Sequence, residues 1–149
     1  MPETKSDRIA PVRKSITVPI QPEAAFRRFT AGIAGWWPLA THSVSESAEA
    51  SCAIECRIGG RIVETAPDGT EHVWGTVTAW EPPGRLAFTW HPGRPEDTRQ
   101  EVEVTFRAAG EGTRVDLVHT GWERLGEKAS GTRARYDAGW DVVLGRYAV

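Results

Sequence analysis

The sequence predicts an α+β fold in which a curved antiparallel sheet wraps around one long C-terminal helix. Apolar and polar residues alternate in short segments between residues 12 and 119, as in strands that have one buried face. Tight-turn signals separate these segments, so neighbouring strands should be mostly antiparallel. After Gly131 the apolar residues change to the spacing of an amphipathic helix.

The first strand is predicted over residues 12–20, where the apolar residues fall mainly on even positions. Pro22 suits the first turn of a short helix, because the N–H that proline lacks has no partner there. A second short helix is predicted over residues 33–37. Residues 39–50 are rich in Ser, Ala and Glu and have no strong period, so we expect a mobile loop.

About six more strands follow the loop, which predicts a sheet of about six or seven strands in all. They are expected over residues 50–58, 61–65, 73–80, 86–90, 102–106 and 115–119. Residues 1–10 are expected to form a flexible polar lead, and residues 11–149 a single domain. The sheet face predicted to point toward the terminal helix carries Ile54, Leu86, Phe88, Trp90, Val102, Val104, Phe106, Val115 and Leu117. The apolar stripe of that helix carries Tyr136, Trp140, Val143, Leu144 and Tyr147.

Charge and hydropathy exclude several classes of function. The formal net charge is −2, and the acidic and basic residues are interleaved, so the sequence predicts no nucleic-acid partner. No apolar run approaches the roughly 20 residues of a membrane span. The first ten residues lack the apolar core of a secretory signal, so a cytoplasmic location is predicted.

The two cysteines do not predict a disulfide or a metal site. Cys52 and Cys56 lie four residues apart in one predicted strand, which places their Cα atoms roughly 13 Å apart. We expect both to be small buried apolar residues. The glycine pairs fit turns and lack a phosphate-binding pattern, so the sequence predicts neither a metal nor a cofactor.

Seven tryptophans in 149 residues are the most informative feature for function. Each indole has a large apolar ring and an N–H that needs a partner when it is buried. Several of them around one hollow would suit a flat aromatic ligand. The residues predicted to contact the ligand are Trp37, His42, Ile54, Trp74, Phe88, Trp90, Val104, Leu117, His119, Tyr136 and Trp140.

Among the polar residues, His119 is the leading candidate. It continues the inward face of its strand, so it could donate to a ligand carbonyl or act as a general base. The alternative is a buried neutral histidine bonded to backbone or water. His42 is expected at the cavity mouth, or else simply exposed, whereas His72 and His91 are expected to be solvated. A solvated outer sheet face is predicted for Glu55, Arg57, Arg61, Glu64, Glu101 and Glu103.

A series of short motifs, taken in order, resembles a known group of proteins. They include Trp36-Trp37-Pro38, Arg57-Ile58-Gly59-Gly60-Arg61, Trp74-Gly75-Thr76-Val77, Glu81-Pro82-Pro83-Gly84 and Gly139-Trp140. From about Val12 to Tyr147, the chain resembles bacterial members of the START-like superfamily (SRPBCC), in the branch related to the C-terminal domain of the heat-shock-protein ATPase activator. The resemblance implies a helix-grip fold with a deep pocket under the C-terminal helix. Members of the superfamily bind lipids, hormones, polyketides and other apolar molecules, and some catalyse cyclisation or hydrolysis.

Three functions stay open on the sequence alone. The first is binding of a small apolar or aromatic molecule, with residues 38–50 as a gate over the cavity. The second is an enzyme of polyketide-cyclase or hydrolase type that uses the same cavity. The third is a protein-interaction module, either a chaperone partner or a homodimer. A chaperone role is less favoured, because we expect a lone domain without the additional N-terminal domain that such an activator uses.

Overall fold

Seven antiparallel strands form one curled sheet in the computed structural model, which describes residues 9–148. The sheet order is β1-β7-β6-β5-β4-β3-β2, with strands β1 and β2 at its two edges. Residues 1–8, most of the predicted polar lead, lie outside the described residues. The strands are β1 (Val12–Val18), β2 (Ser51–Ile54), β3 (Arg61–Thr65), β4 (Glu71–Glu81), β5 (Arg85–Trp90), β6 (Gln100–Ala109) and β7 (Gly112–Thr120).

Two α-helices accompany the sheet. Helix α1 (Pro22–Phe29) begins with Pro22 in its first turn, and a 3₁₀ turn (Ile33–Gly35) follows it. Helix α2 (Ala129–Tyr147) has 19 residues and follows a 3₁₀ segment (Trp122–Lys128) that the sequence did not predict. No helix within residues 9–148 is long and apolar enough to cross a membrane. The predicted helix-grip fold is confirmed.

Helix α2 is held by its buried stripe and by polar contacts at both ends. Trp140, Val143, Leu144 and Tyr147 are buried, as the helical spacing predicted. Toward the start of α2, the Arg133 guanidinium donates hydrogen bonds to the carbonyls of Ala10 and Pro11. At its other end, the Tyr147 hydroxyl donates a 2.7 Å hydrogen bond to the carbonyl of Ala25 in α1. The inward face predicted for strands β2 and β5–β7 is buried throughout.

Strand β2 is shorter than predicted, and this corrects the interpretation of Cys56. The strand ends at Ile54, and the chain then turns back to β3 through a hydrogen bond from the Glu55 amide to the carbonyl of Arg61. Cys56 and Ile58 are therefore exposed, and Ile58 is 67% exposed. The apolar residues continue to alternate up to Ile58, which predicts a longer strand, but the turn begins directly after Ile54. Cys52, by contrast, is buried as expected.

A register shift between β3 and β4 positions Trp74. Ile62 pairs with Gly75 and Val63 pairs with Val73, so Trp74 is the extra residue of a bulge. The next residue must be glycine, because a Cβ at Gly75 would lie only 1.7 Å from the carbonyl oxygen of Thr89. The bulge lets the Trp74 indole N–H reach the carboxylate of Glu64 at 3.0 Å.

Candidate functional site

A cavity of about 530 Å³ lies between helix α2, the loop after the 3₁₀ turn and the segment that follows β5. Cavities of roughly 300–1,000 Å³ are typical of small-molecule sites. Helix α2 contributes one wall, and the loop contributes Thr41 and His42 to another. The full lining is Trp37, Thr41, His42, Ser43, Val44, Glu46, Trp90, Pro92, Gly93, Arg94, Thr132, Arg135, Tyr136, Gly139, Trp140 and Val143.

Three tryptophans in mutual contact form the inner part of the lining. The ring centroids of Trp37, Trp90 and Trp140 lie 5.8–6.0 Å from one another. Trp74 packs behind two of them, 5.1 Å from Trp37 and 5.5 Å from Trp90. These spacings are those of favourable edge-to-face and tilted aromatic pairs. The cluster gives the cavity a rigid aromatic surface.

The predicted site residues fall into two groups in the structure. Trp37, His42, Trp90, Tyr136 and Trp140 line the cavity. The others are buried in the core and do not line the cavity. This second group is Ile54, Trp74, Phe88, Val104, Leu117 and His119.

His119 is a fully buried residue that supports the cavity wall from behind. Its Nδ1 accepts a 2.9 Å hydrogen bond from the indole Nε1 of Trp140. An indole N–H can only donate, so the proton of the neutral imidazole lies on Nε2, which donates to the Gln100 side-chain oxygen at 3.2 Å. The ring also stacks on Trp122, with centroids 4.1 Å apart.

Burial sets the charge of His119. The side chain is 0% exposed, and desolvation lowers the pKa of the imidazole to about 3. The histidine is therefore neutral at ordinary pH, with both ring nitrogens occupied by protein partners. Its geometry suits positioning of Trp140. The residue is buried and neutral, as in the alternative considered from the sequence, but its partners are the side chains of Gln100 and Trp140 instead of backbone or water.

Glu64 anchors the loop that forms the cavity mouth, which corrects its predicted place on a solvated face. The side chain is 0% exposed. Its two carboxylate oxygens accept hydrogen bonds from the amides of Val44 (2.8 Å) and Ser45 (2.9 Å), from the Ser45 hydroxyl and from Trp74. Burial opposes ionisation, but these donors outweigh it and lower the pKa of the carboxyl group.

The sequence carries only a partial signal for the burial of Glu64. Glu64 lies two residues from the buried Ile62, so the two side chains share one face of β3. Glu64 also pairs with the buried Cys52 of β2. Val63, on the opposite face, is buried as well. The apolar residues of β3 therefore do not decide which face is exposed, and the charged residue type led to the wrong prediction.

The outer part of the lining carries the polar groups. Arg94 follows β5 and Arg135 lies on α2, close to Tyr136. Burial raises the pKa of the Tyr136 hydroxyl, and the positive charge of Arg94 is the main opposing influence. His91, expected to be solvated, is buried, and its Nδ1 lies 3.1 Å from the carbonyl oxygen of Arg94.

The two basic residues of the lining were not predicted as site residues, for physical reasons. Arg94 lies in a segment with two prolines and a glycine and no period, so nothing in the pattern indicates its direction. Arg135 lies outside the apolar stripe of the helix, so the spacing predicts that it points away from the sheet, yet it lines the cavity beside Tyr136. Within residues 9–148 no cluster of three or more His, Cys, Asp or Glu side chains is arranged to hold a metal.

Comparison with known proteins gives the family. The model of the family "Activator of Hsp90 ATPase homolog 1-like protein" matches residues 19–147. No curated protein sequence matches the chain.

Solved structures share the fold over nearly their whole length. An anthrahydroquino-gamma-pyrone synthase, Txn09, is 35% identical over 94% of this chain and 96% of that chain, with a TM-score of 0.64. The self-sacrificing resistance protein CalC from Micromonospora echinospora is 30% identical over 93% and 92%, with a TM-score of 0.68. The Aha1 dimer from Colwellia psychrerythraea is 16% identical over 94% of both chains with a TM-score of 0.66, a likeness of fold alone. With its family match and these relatives, the chain belongs to the Activator of Hsp90 ATPase homolog 1-like family within the START-like superfamily.

Proposed function

We propose that the protein binds a planar aromatic small molecule in the cavity beside helix α2. The observation that carries the proposal is the contact of three tryptophans, Trp37, Trp90 and Trp140, around a cavity of about 530 Å³. Flat aromatic ligands gain both apolar burial and ring contacts from such a surface. The Tyr136 ring extends it along the helix.

The hydrogen bonds of the wall also favour a preformed site. The indole of Trp37 donates a 2.7 Å bond to the carbonyl of His42, which ties the loop to the aromatic cluster. The indole of Trp140 is held by His119. A ligand therefore meets rings whose orientation is already fixed, which reduces the entropy lost on binding.

The name of one relative supports this class of ligand. The synthase that is 35% identical is named for an anthrahydroquino-gamma-pyrone, which contains fused rings. The second relative, 30% identical, is named a self-sacrificing resistance protein, a name that states neither a ligand class nor a catalysed reaction.

Titration with 1,8-dihydroxyanthraquinone, followed by tryptophan fluorescence, tests the proposal. The Gly139→Leu variant should obstruct the cavity, because Gly139 lines it and a Cβ there would already lie 3.6 Å from the His42 ring. Gly145→Leu is the matched control on the same helix, since a Cβ there has no atom within 4 Å. We expect saturable binding by the wild type and Gly145→Leu, and at least tenfold weaker binding by Gly139→Leu. Absence of saturable binding by the wild type, or equal binding by Gly139→Leu, would overturn the proposal.

An enzyme that uses the same cavity is the second candidate, and His42 favours it. The imidazole lines the cavity, and its Nδ1 lies 2.7 Å from the Thr41 hydroxyl. Imidazole is the side chain best suited to exchange a proton with a ligand near neutral pH. The wild-type protein is incubated with a small-molecule extract of the organism that encodes it, and the mixture is analysed by mass spectrometry. The wild type should form a product that the His42→Gln variant does not form. A chaperone partner and a homodimer stay predictions of the sequence.

A further inference from the structure

One buried polar group of the cavity wall is left without a protein partner. Trp90 is 3% exposed, and within residues 9–148 no atom accepts a hydrogen bond from its indole Nε1. The indoles of Trp37 and Trp140, its neighbours in the wall, both donate to protein acceptors. A buried donor without an acceptor is uncommon in folded proteins and requires an explanation, of which a bound molecule that supplies the acceptor is one.

The groups around that indole are also donors. The Trp90 N–H lies close enough to the Tyr136 hydroxyl to influence its pKa, although the pair does not meet hydrogen-bond geometry. Burial raises the pKa of Tyr136, so the hydroxyl keeps its proton at neutral pH and can donate. The guanidinium groups of Arg94 and Arg135 act on the same hydroxyl through their charge.

Neither arginine is neutralised by an acidic side chain. Among the described residues, no carboxylate lies within 4 Å of the guanidinium of Arg94 or Arg135; Arg135 donates only a 3.3 Å bond to the Thr132 hydroxyl. Glu46 is the single acidic residue in the cavity lining, and it is exposed. We call Trp90, Arg94, Arg135 and Tyr136 the donor corner of the cavity.

We propose that the donor corner binds an ionised oxygen of the aromatic ligand, a carboxylate or a phenolate. This proposal rests on the proposed function and adds the chemical class of the ligand. An anionic oxygen accepts from several donors at once and is favoured by the two unneutralised guanidinium groups. The phenol donates to the oxygen and the arginines supply the charge, while the indole gains its acceptor when the ligand displaces the groups that now cover its Nε1.

Two probes that differ only in one substituent separate this proposal from the general binding function. The probes are 9-anthracenecarboxylate and 9-methylanthracene, which share the ring system. Their affinities are measured for the wild type, Arg94→Gln and Tyr136→Phe. Arg146→Gln is the control, because it removes an equal charge from an exposed position of α2 outside the cavity lining.

The expected result is at least tenfold tighter binding of the carboxylate than of the methyl probe by the wild type. Arg94→Gln and Tyr136→Phe should each reduce that ratio at least threefold while binding 9-methylanthracene as before, and Arg146→Gln should keep the ratio. Equal affinities of the two probes for the wild type, or an unchanged ratio in Arg94→Gln, would contradict the proposal that the donor corner binds an ionised oxygen. Either result would leave the proposal that the cavity binds an aromatic molecule unaffected. Failure of both probes to bind would overturn both proposals.

Discussion

The indole Nε1 of Trp140 donates a 2.9 Å hydrogen bond to Nδ1 of His119, and so joins the middle of helix α2 to the end of strand β7. The bond lies directly behind the cavity wall, since Trp140 lines the cavity and His119 does not. The histidine can accept this bond only while Nδ1 is unprotonated. The position of a wall residue therefore depends on the protonation state of a buried base.

Stability should fall as the pH is lowered through the range in which the unfolded histidine titrates. The pKa of His119 is about 3 in the folded protein and near 6.5 when the chain is unfolded. Between these values the unfolded state binds more protons, so the free energy of unfolding decreases toward acid pH by up to about 1.4 kcal/mol per pH unit. Urea unfolding at pH 7.5, 6.5 and 5.5 measures this slope.

The His119→Gln variant isolates the contribution of that side chain. Glutamine does not titrate, so the variant should be less stable at pH 7.5 but should lose less stability than the wild type between pH 6.5 and 5.5. Parallel slopes for the two proteins would mean that His119 is not the residue responsible.

Replacing Trp140 by phenylalanine should cost more than the same change at Trp90. Both substitutions shorten a buried ring by the same amount, but only Trp140→Phe leaves a buried acceptor, Nδ1 of His119, without its donor. We expect Trp140→Phe to be less stable than Trp90→Phe by about 1–3 kcal/mol in urea unfolding. Equal losses of stability in Trp140→Phe and Trp90→Phe would show that the hydrogen bond between Trp140 and His119 contributes little to stability.

Glu64→Gln should loosen the loop at the cavity mouth. The glutamine side chain keeps one oxygen, but an NH₂ group replaces the other. In the wild type both oxygens accept hydrogen bonds, including those from the Val44 and Ser45 amides, and an NH₂ group cannot accept them. Hydrogen exchange at these two amides should become faster, and stability should fall by about 1–3 kcal/mol. Glu55→Gln, which alters an exposed pair with Arg61, is the control and should change little. Unchanged exchange at Val44 and Ser45 would show that the loop is held by other contacts.

Gly139→Ala should stabilise helix α2 while narrowing the cavity. The added Cβ would lie at ordinary contact distance, 3.6 Å, from the ring of His42. Alanine favours the helix over glycine by about 0.5–1 kcal/mol, and Gly145→Ala should give the same gain without touching the cavity. Thermal unfolding of both variants tests this, and a loss of stability in Gly139→Ala alone would indicate a tighter contact with His42 than the structure has.

The fold could be predicted from the sequence because apolar residues recur at the spacing of strands and, after Gly131, at the spacing of a helix. Val102 and Val104 on one face of β6, and Trp140 and Leu144 on one face of α2, are buried as the spacing requires. The prediction failed where a local turn overrides an alternating pattern, as after Ile54. Periodicity describes which residues share a face and carries no information on where a strand ends.

The site was only partly predictable. The aromatic residues Trp37, Trp90, Tyr136 and Trp140 could be identified because their number exceeds the needs of packing. His119 pointed inward as predicted, but alternation cannot tell a residue behind the wall from one in front of it. The position of the Arg94 side chain depends on the path of an irregular segment, and only tertiary contacts determine that path.

Binding in the cavity can be observed at the indole N–H signals of the seven tryptophans, recorded by NMR with and without 9-anthracenecarboxylate. We predict that the signal of Trp90 moves downfield, because its N–H gains an acceptor, and that ring currents shift the signals of Trp37 and Trp140. The signals of Trp36 and Trp122 should stay in place, because both indoles donate to backbone carbonyls and lie outside the cavity lining. If all seven signals are unmoved at saturating probe, or if only those outside the cavity move, the cavity is not the binding site.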